Sequence, residues 1–112
     1  MKNDRVVIGK NGEDQATDFL EKNGFIILER NWRYRHGEID IIATRDNTLH
    51  IVEVKTRTST TFGFPEESID DRKMQKLMIT ATAYCYQHPQ WHLVQYDVVA
   101  ILNDEILFIE DL

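Results

Sequence analysis

Cysteine is almost absent from this 112-residue chain, proline and glycine are sparse, and no apolar run approaches the length of a membrane span. Each shortage excludes something. A lone cysteine, Cys85, rules out an internal disulfide framework and agrees with a reducing compartment. It also argues against a zinc site, because His36, His50, His88 and His92 share no spacing with it. The opening Met1-Lys2-Asn3-Asp4-Arg5 leads into no secretory apolar region, so the expectation is a cytoplasmic protein without membrane attachment. No linker, repeat or low-complexity stretch interrupts the chain, and a composition of 42% hydrophobic and 29% charged residues is that of an ordinary globular protein. One domain over residues 1–112 is expected. Positive charge is short as well: 13 Lys and Arg face 19 Asp and Glu, a formal net charge of -6. A field of that sign repels a phosphate backbone, so nucleic acid is a partner only if the cations gather on one face. Along the sequence they do gather, in Arg30, Arg33, Arg35 and His36 and again in Arg57, Arg72, Lys73 and Lys76.

What the chain has in plenty is charge where buried strands should be apolar. The runs Gly37-Glu38-Ile39-Asp40-Ile41-Ile42-Ala43 and Leu49-His50-Ile51-Val52-Glu53-Val54-Lys55-Thr56-Arg57 read as two strands of a hairpin turned at Asp46-Asn47. Alternation places Glu38, Asp40 and Ile42 on one face of the first and Ile51, Glu53, Lys55 and Arg57 on one face of the second. Ile39, Ile41 and Ala43, then Val52 and Val54, take the other faces. If Asp40 and Glu53 share a side, two carboxylates and an ammonium converge. A hard cation such as Mg²⁺ or Mn²⁺ takes one or two carboxylates, with other oxygens completing its shell. Asp40, Glu53 and the carbonyl of Val54 are the candidate ligands, with Lys55 placed to hold or deprotonate an attacking water. The alternative is a solvated sheet face with cross-strand ion pairs.

Around the hairpin, residues 11 to 23 read as a helix capped by Asn11 and stopped by Gly24, with Glu13 on the buried stripe of Ala16, Phe19 and Leu20. A carboxylate there needs a partner, for which a metal or Lys55 would serve. Residues 25 to 34 form a strand ending in Trp32-Arg33-Tyr34-Arg35, whose aromatics either stack bases or lie half-buried; the second reading is preferred. A hydroxyl-rich loop, 58 to 65, contains Phe62 and Phe64, either facing substrate or packing over the core. Residues 71 to 88 read as a helix with Met74, Leu77, Met78, Ala81 and Cys85 as its core stripe and Lys73, Lys76 and Thr80 on a flank. Strands at 91 to 102 and 105 to 109 follow, joined by Asn103-Asp104. Asp97 reads as structural, with an arginine as its expected partner. The order αβββαββ predicts an α/β sandwich with a mixed sheet.

An acidic residue on one strand followed by Glu-Val-Lys on the next resembles the Asp…Glu-X-Lys core of the restriction-endonuclease-like superfamily. Gly12-Glu13, Ala16, Gly24-Phe25, Asn31, the block 37 to 40, Glu53 to Arg57, and Tyr96 to Ile101 further resemble, in order, the signatures of the YraN-type family of small bacterial proteins. The resemblance runs from about residue 9 to about 109, and it implies a three-layer sandwich with a mixed sheet flanked by helices. It also implies a Mg²⁺- or Mn²⁺-dependent endodeoxyribonuclease with Glu13, Asp40, Glu53 and Lys55 as catalytic residues. DNA is then the expected partner, in repair or recombination, contacted by Arg33, Arg35, Arg57, Lys73 and Lys76. Junction-resolving enzymes use the same core in small dimers, so a homodimer and selectivity for Holliday-like structures belong to this expectation. A fold retained as a non-catalytic nucleic-acid or protein adaptor is the competing reading.

Overall fold

The computed structural model describes residues 11–61 and 63–112; Phe62, weighed above as either facing substrate or packing over the core, lies outside the described residues. Helix α1, Gly12–Lys22, begins where the Asn11 side chain accepts the Asp14 N–H at 2.9 Å and ends against Gly24, whose φ of +88° suits a residue without Cβ. Strands β1 (Ile26–Tyr34), β2 (Gly37–Arg45) and β3 (Thr48–Arg57) form an antiparallel meander. A short 3₁₀ turn, Pro65–Ser68, precedes helix α2, Asp71–Gln87, whose N-terminus is capped by Asp70. Strand β4, Leu93–Leu102, pairs parallel to β3 over ten residues, and β5, Glu105–Ile109, closes the sheet in the order β1-β2-β3-β4-β5. Both hairpin turns expected from sequence form with two left-handed residues each, at Asp46-Asn47 and Asn103-Asp104.

Two apolar clusters occupy the two faces of the mixed sheet. Ala16 and Leu20 of α1 pack on Ile41, Ala43, Val52, Val99 and Ile101; Leu77, Ala81 and Tyr84 of α2 pack on Ile39, Ile42, Leu49 and Ile51. The described residues thus form a small α/β fold with a five-stranded mixed sheet between two helices. The core stripe expected for α2 is corrected in part: Met78 is 46% exposed, and the buried face runs through Leu77, Thr80, Ala81 and Tyr84. Helical spacing permits either stripe, and the close approach of β2 selects between them, because a Cβ on Gly37 would collide with the Thr80 hydroxyl. Thr80 is therefore buried under the start of β2 rather than on a flank. Gly12 plays the same part for α1, where a Cβ would meet the Thr56 hydroxyl of β3. These two close approaches bring both helices against the carboxylate-bearing strands.

One departure from regular alternation positions the site. Ile39 was expected to share a face with Ile41, yet it packs on α2 while Ile41 packs on the α1 side. Strand β1 changes phase at the matching place: Arg30 reaches α1, whereas Trp32 packs edge-on to Tyr84 of α2. Between them stands Asn31 with φ +54°. The interruption therefore runs across two paired strands at Asn31 and Asp40.

Candidate active site

Strands β2 and β3 pair from Arg45↔Thr48 up to Ile41↔Val52, and there the Cα register stops. Asp40 fills the gap beyond: its Oδ2 accepts the Val54 N–H at 2.8 Å, replacing the next rung of the ladder with a side chain. Within a strand, the N–H and C=O of one residue point to the same neighbour, so the Val54 carbonyl also faces this fork. The Val54 side chain joins the α1-side cluster. Glu53 and Lys55 line a cleft of about 280 Å³ on the α2 side, together with Glu38, Lys73, Lys76 and Thr80. The pair expected from alternation does converge on the fork.

Electrostatics mark Glu53 as the unusual member. Its side chain is 19% exposed, its Oε1 is buried with no hydrogen-bond partner, and its Oε2 lies 4.0 Å from the Lys55 ammonium, the outer limit of an ion pair. Burial, then repulsion from Asp40, pushes its pKa up to about 7 against the attraction of Lys55 and of the Asp40 N–H, whose pull still leaves Oε1 without a bond. Asp40 is also raised above the ordinary carboxylate value, by burial first, with the Val54 N–H pulling it back and Glu13 adding repulsion.

Glu13 has a different partner from the one expected. Its Oε1 accepts from Asn31 Nδ2 at 2.7 Å and from Arg30 at 3.3 Å, and Arg30 also pairs with Asp14 at 2.7 Å. It is half-buried, near enough to repel Asp40 but held by β1 rather than by Lys55. Sequence reasoning gave no role to Asn31, which positions that carboxylate. A clue existed, since asparagine is unfavourable within a strand and tolerant of left-handed backbone. Among the described residues no group of three His, Cys, Asp or Glu side chains could hold a metal ion. Any cation here would depend on two carboxylates and a carbonyl.

The expected phosphate contacts divide. Lys73 and Lys76 line the cleft; Arg33 is 75% exposed and pairs with Glu38 at 3.3 Å; Arg35 stacks over Tyr34 at 5.3 Å. Arg57 donates to the Thr56 carbonyl at 3.1 Å, at the end of β3 and away from the residues lining the cleft. Asp97 is fully buried, and its partner is not an arginine: His50 Nδ1 lies 2.6 Å from Oδ2, while Gln95 and the Asp111 N–H bond Oδ1. This buried knot ties β3, β4 and the end of the chain together behind the site.

No described helix is long and apolar enough to cross a membrane, and the fold is a small α/β sandwich with charged groups at a strand fork. The chain belongs to the uncharacterised protein family UPF0102, whose model matches residues 12–101; this is the YraN family. It is 45% identical to a UPF0102 protein of Persephonella marina over 92% of this chain and 90% of that one. A Flavobacterium johnsoniae relative is 44% identical, covering 94% and 89%, and one from Dictyoglomus thermophilum 43%, covering 85% and 81%.

Proposed function

We propose that this protein is a nuclease of restriction-endonuclease-like architecture that hydrolyses DNA phosphodiester bonds with Mg²⁺ or Mn²⁺. The observation that carries the reading is the buried, unpartnered Glu53 Oε1 beside Asp40 at a fork in the sheet. A buried oxygen without a donor is costly, and the donor set around it is all oxygen, suited to a hard cation. Asp40, Glu53 and the Val54 carbonyl would hold the ion, which when bound supplies Lewis-acid polarisation of the phosphate and makes water acidic enough to attack near neutral pH. Lys55 orients the attacking water and offsets charge gathering on the phosphoryl oxygens. Glu13, fixed by Asn31 and Arg30, keeps negative potential behind Asp40 and thereby favours cation retention. Lys73 and Lys76 contribute positive charge on the α2 wall where a phosphate backbone would enter.

The test is incubation of the protein with Mn²⁺ or Mg²⁺ and a panel of single-stranded, duplex, flap and four-way-junction DNA. Cleavage that Asp40→Asn, Glu53→Gln and Lys55→Met each abolish supports the reading. Metal-induced thermal stabilisation with no cleavage of any substrate would favour the adaptor. No metal response at all would remove the metal site itself.

A further inference from the structure

A second surface runs out of the cleft along α2. Three depressions adjoin along the outer side of α2. The cleft of Glu53 and Lys55 shares His36, Lys76 and Thr80 with a depression of about 350 Å³; that one shares Tyr34 and Ile79 with another of about 350 Å³, bounded by Thr82 and Tyr86. From Lys73 to Tyr86 the helix rises about 20 Å at 1.5 Å per residue. The solvent side of α2 should be polar, yet Ile79 is 66% and Tyr86 89% exposed. Opposite them Tyr34 lies parallel to Trp32, with planes 5° apart, and carries the Arg35 guanidinium at 5.3 Å. Trp32 itself is braced edge-on by Tyr84 of the core, so Tyr34 stands on a fixed support.

We propose that this surface is a track for the unpaired bases of a single-stranded nucleic-acid flank whose backbone continues into the cleft, an inference that rests on the nuclease reading. Flat rings at Tyr34 and Tyr86, with Arg35 beside Tyr34 and Lys76 on the side toward the cleft, are what single-strand binders combine: stacking for bases, positive charge for phosphates. In a molecule of net charge -6, Lys55, Lys73, Lys76 and Arg35 lie in or beside one continuous path. An apolar stripe meant for a protein partner would not require that arrangement, and duplex DNA exposes no ring faces for Tyr34 and Tyr86 to meet. Continuity with the cleft sets the polarity of the path: bases rest between Tyr34 and Tyr86, and the strand enters past Lys76.

The experiment is fluorescence anisotropy with a labelled oligothymidine and with a duplex of equal length, in chelator and at low ionic strength, so that neither cleavage nor metal is needed. Tyr86→Ala and Tyr34→Leu should each weaken single-strand binding about five- to 150-fold, as loss of one stacked base predicts, and leave duplex binding unchanged. The melting temperature of Tyr86→Ala, an exposed position, should match the wild type and exclude misfolding. Equal affinity for duplex and single strand, or variants that bind like the wild type, overturns the track. So does concentration-dependent self-association abolished by Tyr86→Ala without single-strand binding, which would give the surface to a second copy of the chain. A positive result in chelator stands even if Mn²⁺ never supports cleavage, and a negative one leaves the carboxylate site untouched.

Discussion

Glu53→Gln should stabilise the metal-free protein at pH 8, although it alters a buried residue. A rise of the Glu53 pKa from 4.5 to about 7 corresponds to about 3 kcal/mol that the ionised side chain costs the folded state. The sign follows from proton binding. Between these two values the folded form holds a proton that the unfolded form has released, so stability falls as pH rises through the interval, and the full cost applies above 7. Glutamine removes the charge and keeps the shape, but its amide must still find donors and acceptors, so the net gain should be about 1–2 kcal/mol. For a domain of this size that is a rise of about 4–8 °C in melting temperature. The assay is thermal denaturation in chelator at pH 8 and at pH 4, where Glu53 is mostly protonated in both states, so the charge relief disappears and the amide's cost of about 1–2 kcal/mol should leave the variant the less stable of the two. With Mn²⁺ the wild type should gain stability, about 2.7 kcal/mol at one hundred times the dissociation constant, and the variant should gain little. A Glu53→Gln protein no more stable than wild type at pH 8 in chelator would refute the claim that this carboxylate is under electrostatic strain.

Lys55→Met should lower cleavage at least a hundred-fold, on the order expected for loss of a positioned acid-base group, with DNA affinity nearly intact; parallel rate and binding measurements check both. Asp97 is held below the ordinary carboxylate value because, although burial alone would raise it, bonds from His50, the Asp111 N–H and Gln95 outweigh that burial. Its contribution is therefore present above about pH 4 and is lost as pH falls through the folded value, so Asp97→Ala should lower stability at pH 7 by about 2–4 kcal/mol and flatten its acid limb in chemical denaturation. Gly37→Ala should cost about 1–3 kcal/mol through collision with Thr80, and adding Thr80→Ala should recover part of it, read as a coupling energy in a double-mutant cycle.

The succession of elements along the chain and both tight turns were legible because they follow from local chemistry: Asn and Asp pairs that accept left-handed backbone, and alternating Ile and Val between them. The meeting of Asp40 and Glu53 was legible from spacing as well. Less of the surroundings could be read. The true buried face of α2 depends on how closely β2 passes at Gly37, a tertiary fact that helical spacing leaves open. The partner of Asp97 depends on β3 and β4 lying parallel in one register, which brings His50 alongside from 47 positions away. Tyr86 carries no local signal for function, since one aromatic on a helix is ordinary until its exposure is known.

Asn31 and Asp40 explain why an alternation argument found the site while misplacing Ile39. A regular ladder would continue β2 against β3 past Ile41, and the backbone groups needed for a cation would be used up in strand pairing. Ending that ladder leaves a Val54 N–H to satisfy, and Asp40 satisfies it with one oxygen. The phase change reverses the faces of both strands, keeping Ile39 buried and Trp32 half-buried on the α2 side after the interruption. Asn31, left-handed at the same cross-strand position, then turns its amide to Glu13. One local irregularity therefore opens the fork, anchors two carboxylates and preserves the core. It follows that Asn31→Val, a better strand former, should straighten β1 and release Glu13. That variant should weaken the Mn²⁺-dependent rise in melting temperature although residue 31 touches no proposed ligand, whereas Asn31→Asp, equally tolerant of left-handed backbone but unable to donate, should keep the fold and still lose part of the metal response. If both variants respond to Mn²⁺ like the wild type, Glu13 and its asparagine have no part in the site.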